Sequence, residues 1–197
     1  MSNTRNRNRL ALIAIFVLFF IPLLAAVILS SKWVQYTPGE TVNLGTLVEP
    51  PVPLNGRFMR NDVLSAQDEL NGRWLLIHPL LDGCDSECIA RVTELRQIHI
   101  GTGRHQEEVA TLLLAQGNIS EGQRVELEAI YPRFVIASDS GGNAMMALAK
   151  ASGGTGLAKD SSFIADPEGN IILRYDPGYP PAHINKDLRK LLKWSGR

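Results

Sequence analysis

The apolar positions of the chain fall into one unbroken run followed by short periodic segments. From Leu10 to Leu29 the sequence reads LALIAIFVLFFIPLLAAVIL, in which only Pro22 lies outside the apolar set. Twenty such residues make about 30 Å of helix, the thickness of a bilayer's hydrocarbon core. A cleaved signal peptide has a shorter apolar region and a small-x-small site beyond it. Here Ala25-Ala26 is still inside the run, so it reads as an uncleaved transmembrane helix over 10–29. Arg5, Arg7 and Arg9 precede it and only Lys32 follows closely, which keeps residues 1–9 in the cytoplasm and exports the rest. The location expected is a bacterial inner membrane, single-pass, with the C-terminal domain in the periplasm.

Residues 30–57 carry Thr37-Pro38-Gly39 and Glu49-Pro50-Pro51-Val52-Pro53 with few periodic apolar positions, the composition of a semi-rigid extended linker. Such a spacer would hold a folded head tens of ångströms off the bilayer. From residue 58 the pattern alternates. Trp74-Leu75-Leu76-Ile77-His78, Val109–Leu114, Phe134–Ala137, Ser162–Ala165 and Ile171–Tyr175 read as strands. Ser86–His99, with Ile89, Val92 and Leu95 at helical spacing and Asp85 as N-cap, reads as a helix that Gly101 stops. Ser120–Tyr131, opened by the Ser120-x-x-Gln123 box, Asn143–Ala151 and Ile184–Trp194 are further helices. Asp166-Pro167-Glu168-Gly169-Asn170 is turn chemistry and makes the last two strands a hairpin. The order predicts an α/β domain over 58–197: a mixed sheet with parallel crossovers and flanking helices.

Composition changes this picture in one respect. The 20 Lys+Arg balance the 20 Asp+Glu, yet residues 1–39 hold four basic groups and no acidic one, leaving a formal −4 on the remainder. Taken as a whole, the exported part is therefore drawn neither to nucleic acid nor to anionic lipid. Gly153-Gly154-Thr155-Gly156 follows no strand and lacks the Lys-Ser/Thr of a phosphate cradle, and the absence of Cys-x-x-Cys-His excludes covalent haem.

Chemistry concentrates at Cys84 and Cys88, in Gly83-Cys84-Asp85-Ser86-Glu87-Cys88. The pair follows the first core strand and opens the first long helix, where α/β sheets place their sites. Spacing of i and i+4 brings the side chains together closely enough for a disulfide or for a shared soft ion such as Cu(I). A helix N-terminus favours the thiolate, while Asp82, Asp85 and Glu87 oppose it. A structural disulfide is the alternative, although so short a loop removes little chain entropy. His78, six residues before Cys84, is the histidine best placed in sequence to join them as a metal ligand. His99, His105 and His183 lie farther away.

With the motif on strand, loop and helix, the chain resembles the thioredoxin-like superfamily and, within it, the SCO/SenC proteins that assist assembly of the copper centre of cytochrome c oxidase. The matching stretches are Leu70-Asn71-Gly72-Arg73-Trp74, Cys84-Asp85-Ser86-Glu87-Cys88, Asp166-Pro167-Glu168-Gly169 and Asp187-Leu188-x-x-Leu191-Leu192, across about residues 57–194. The resemblance implies a thioredoxin-like fold and a membrane-anchored protein assisting oxidase assembly, by thiol-disulfide exchange at Cys84 and Cys88. As alternatives it implies a Cu(I) chaperone using the same cysteines, with His78, or a non-catalytic tethered scaffold. The implied partners are a respiratory oxidase subunit or a copper-delivery protein. The chain departs from the pattern in two places. Ile89 stands where the family has proline, and Leu157-Ala158-Lys159-Asp160-Ser161-Ser162 lacks the histidine that supplies the family's third copper ligand.

Overall fold

The computed structural model describes residues 9, 13–22, 24, 27, 43–60, 64–81, 83–154 and 156–195. Two units follow one another, Met1–Thr41 and Val42–Arg197. The predicted cytoplasmic segment 1–9 and residues 30–42 of the predicted linker lie almost wholly outside the described residues, as does part of the predicted span. Within that span the described residues 13–22, 24 and 27 are helical, with apolar side chains exposed and Phe16 stacked on Phe20. Among the described residues no helix is long and apolar enough to cross a membrane.

The second unit runs β1 (Thr46–Pro53), β2 (Phe58–Arg60), β3 (Leu64–Ser65), α1 (Gln67–Leu70), β4 (Trp74–Leu80), α2 (Ser86–Gly101) and a 3-10 turn (Gly103–Glu108). It continues with β5 (Val109–Ala115), α3 (Glu121–Ile130), β6 (Val135–Asp139), α4 (Asn143–Ala151), β7 (Ser162–Ala165), β8 (Asn170–Tyr175) and α5 (Pro181–Ser195). The strands form one mixed sheet in the order β1-β8-β7-β4-β5-β6-β2-β3. β4 is parallel to β5 and antiparallel to β7, so the crossover through α2 and the hairpin β7–β8 meet at the central strand. All residues of β4, β5, β6 and β7 are buried, which is why these segments read as continuous apolar runs rather than alternating ones.

Alternation along the strands splits the core into two layers. Leu75, Ile77, Leu112 and Phe163 pack under α4 through Ala144 and Leu148. Leu76, Leu113, Ile164 and Leu173 pack under α2, α3 and α5 through Val92, Leu95, Leu127, Leu188 and Leu192. Short polar devices fix the ends of the elements. The Ser120 hydroxyl accepts from the Gln123 amide at 3.3 Å, and the Asp139 carboxylate accepts from the Met145 amide at 3.0 Å. The Asp166 side chain accepts from the amides of Glu168 and Asn170, while Gly169 takes the positive φ that the hairpin turn requires.

The linker read over 30–57, with the domain starting at 58, gives way to a sheet that already includes Thr46–Pro53, paired antiparallel with β8. Prolines fit there because β1 is an edge strand whose register shifts between Leu47 and Val52, over Glu49-Pro50-Pro51. The last helix begins at Pro181 rather than Ile184, so His183 is helical. Proline suits the first turn of a helix, where its missing N–H would have had no partner.

The start of the unit is tied to its last helix by one fully buried carboxylate. Asp187 accepts from the Leu44 and Gly45 amides at 2.8 Å each and from the Tyr175 hydroxyl at 3.0 Å. Burial and the Asp187 charge push the Tyr175 phenol far above its ordinary value, so it stays a donor. A Cβ at Gly45 would lie 2.5 Å from the Tyr175 ring, so only glycine lets the backbone come this close.

Candidate functional site: a disulfide at the mouth of a cavity

β4 ends at Leu80, and the chain turns through Gly83, which adopts φ +83°, before α2 begins. Asp85 caps α2, its carboxylate accepting from the Cys88 amide at 3.0 Å. This places Cys88 in the first turn of the helix and Cys84 just before it. The two are joined as a disulfide, with α-carbons 5.1 Å apart. Cys88 is buried in the core layer that also holds Val92 and Leu76, whereas Cys84 is only half-buried.

Cys84 forms part of the wall of a cavity of about 400 Å³. Leu80, Leu81, Ile119 and Leu127 supply its apolar surface, and Gln116, Asn118 and Gln123 supply amides from the β5–α3 loop and the start of α3. Among the described residues no charged side chain lines it.

The segment 157–162 also reaches the cysteine loop. Lys159 forms an ion pair with Asp85, the residue that caps α2 between the two cysteines. The hydrogen bond from Lys159 and that from the Cys88 amide hold the Asp85 carboxyl below its usual range, and Asp85 raises the Lys159 ammonium in turn. The negative field expected at the thiols is therefore offset at Asp85, while Asp82 lies outside the described residues. Sequence reading missed Lys159. The signal was present, because the resemblance already implied that this segment approaches the CxxxC loop.

His78 is placed differently from a ligand in waiting. It is 1% exposed, and its Nδ1–H donates to the Ser161 carbonyl at 3.0 Å. Burial pulls the imidazole down to about 4, so it is neutral at physiological pH. Among the described residues no group of three or more His, Cys, Asp or Glu side chains is arranged to hold a metal ion. The donor set of the resembled family, two thiolates and a histidine, does not fit these residues: an amine paired with a carboxylate comes to the loop instead of an imidazole. His99 is buried too, between the Thr111 hydroxyl and the Gln106 carbonyl, and His105 pairs with Glu108 on the surface.

A family model described as transmembrane-like, thioredoxin-like, C-terminal domain matches residues 74–195. No curated protein matches the chain in sequence. Among solved structures, apo Sco1 from Thermus thermophilus is similar at 15% identity and TM-score 0.57, with 78% of this chain and 99% of that one covered. ScoI from Arabidopsis thaliana, crystallised with copper bound, is similar at 12% identity and TM-score 0.54, over 76% of this chain and 98% of that one. BsSco, described as a Sco-family cytochrome c oxidase assembly protein with a disulfide switch, is similar at 14% identity and TM-score 0.54, over 72% and 94%. At these identities the likeness is one of fold.

Proposed function

This chain belongs to the transmembrane-like, thioredoxin-like C-terminal domain family, and from that membership we propose that it is a membrane-anchored thiol-disulfide exchange protein that assists assembly of a respiratory oxidase. The observation that carries this reading is the asymmetry of the pair: Cys84 faces a cavity while Cys88 is sealed in the first turn of α2. Exchange needs one accessible sulfur to react and one protected sulfur to resolve.

In the reduced state the Cys84 thiolate attacks one sulfur of a target disulfide. The target S–S bond breaks, its second sulfur leaves as a thiolate, and a mixed disulfide joins Cys84 to the target. Cys88, deprotonated at the helix N-terminus, then attacks the Cys84 sulfur and releases the target's first sulfur. Two electrons pass to the target, and the chain is left with the Cys84–Cys88 disulfide seen in the structure. A dithiol donor must reduce it again. The oxidase link rests on the resemblance to SCO/SenC proteins: the cysteines of a copper centre must be reduced before metal can enter. The anchor at 10–29 would confine the reaction to the outer face of the membrane.

The test uses the full chain, reduced in detergent, and a peptide containing a disulfide. Wild type reduces the peptide stoichiometrically, Cys88→Ser stops at a mixed disulfide whose mass maps to Cys84, and Cys84→Ser does neither. Failure of Cys88→Ser to trap the peptide overturns exchange through Cys84. In parallel, stoichiometric Cu(I) binding that resists a competing chelator and is lost in Cys84→Ser would favour copper transfer instead.

A further inference from the structure

We propose that the outward face of α5 is a docking surface for anionic lipid headgroups, which lays the domain on the bilayer that anchors it. This deepens the proposed function and rests on its membrane anchor. The face is built at helical spacing: Lys186, Arg189, Lys190, Lys193 and Trp194 recur at i, i+3, i+4, i+7 and i+8, opposite the buried stripe Ile184, Asp187, Leu188 and Leu192.

Its positive charge is clustered on one helix. Lys186, Arg189 and Lys193 are exposed and stand within two turns of one helix face, and none of them forms an ion pair with a carboxylate among the described residues. Two hollows of about 430 and 460 Å³ share Arg189 and Lys193, and the second adds Arg104 from the 3-10 turn. His105, which lines the second hollow, pairs with Glu108. An overall formal −4 thus conceals a local cationic strip whose charge complements an anionic bilayer surface. Trp194, 75% exposed at the end of the strip, is the residue type that settles at headgroup level.

The chain path points to the bilayer as the occupant. Asp187, on the inner side of the same helix, holds the Leu44 and Gly45 amides, so the connection from the apolar segment enters the domain at α5. Between Leu29 and Leu44 the chain spans at most about 50 Å even when fully extended, and a bilayer surface within that distance is at high local concentration. The strip adjoins Gly101, at the far end of α2 from the cysteines. Thirteen residues of helix separate Gly101 from Cys88, about 20 Å. The strip and the cysteine loop are therefore separate surfaces of the domain.

The experiment places the full chain in nanodiscs of phosphatidylcholine alone or with phosphatidylglycerol, each carrying brominated acyl chains, and compares tryptophan fluorescence of wild type with Trp194→Phe. The difference isolates Trp194. We expect it to be quenched in the anionic discs only, with the quenching lost in high salt and in Lys186→Glu/Arg189→Glu/Lys193→Glu, whose circular dichroism matches wild type. An unquenched Trp194 in anionic discs, or equal quenching in both compositions, overturns the proposal. Carbonate extraction of native membranes judges the anchor separately. Chain released into the supernatant contradicts the anchor, and quenching by anionic vesicles then still decides whether α5 binds headgroups.

Discussion

At the scale of single residues, the site is defined as much by what His78 and Lys159 do as by the cysteines. His78 ends up sealed under α2 as a neutral donor to Ser161, because its strand is buried along its whole length. Its folded pKa, about 4, lies below the unfolded value near 6.5. Between those values the unfolded chain takes up a proton that the folded chain refuses. Stability from this group is therefore complete above about pH 6.5 and is lost as pH falls toward 4, by on the order of 3 kcal/mol over the window. His99, lowered by burial as well, and Asp85, lowered by its partners, slope in the same direction. Asn at position 78 keeps a donor near Nδ1 and cannot titrate. Thermal melts at steps from pH 7 to 4.5 should show a flatter decline for His78→Asn than for wild type; parallel declines would mean that His78 is accessible to protons in the folded state.

At the scale of elements, the parts legible in the sequence are those whose burial is uniform or periodic. β4, β5 and β6 sit in the middle of the sheet and read as apolar runs, while α2 and α4 present one apolar face each. The Asp85 and Ser120 caps could be read directly, since each needs only an oxygen at the right position. β1 could not, because its prolines argue for a spacer unless one knows that the strand lies at an edge with a register shift. β2 and β3 are too short to show a period. The contact of Lys159 with Asp85 spans 74 residues of sequence and depends on how the loop before β7 folds back, which no local pattern encodes. The consequence is testable by truncation. A fragment starting at residue 58 loses the pairing with β8, the buried Val48, Val52 and Leu54, and the two amides that satisfy Asp187. That is a loss on the order of 5 kcal/mol, comparable with the whole stability of a domain. Urea titrations should find the fragment from residue 43 cooperative and the one from 58 unfolded or nearly so; equal midpoints would make β1 dispensable.

At the scale of the whole molecule, a basic N-terminal stub, an apolar run and a mildly acidic domain with one cationic helix face give a protein suited to work at a surface. If the Arg-rich end stays in the cytoplasm, a C-terminal alkaline phosphatase fusion is active and a C-terminal green fluorescent protein fusion exported by the same route is dark; the opposite pattern reverses the topology. The central claim concerns the disulfide, and its reduction potential tests it most directly. The full chain is equilibrated in graded thiol-disulfide buffers and the reduced fraction is read by alkylation and mass. An exchange protein should titrate between about −180 and −270 mV, the range of working thiol enzymes. A value below about −300 mV, where structural disulfides lie, would contradict exchange and leave Cys84–Cys88 as a fixed cross-link in a scaffold.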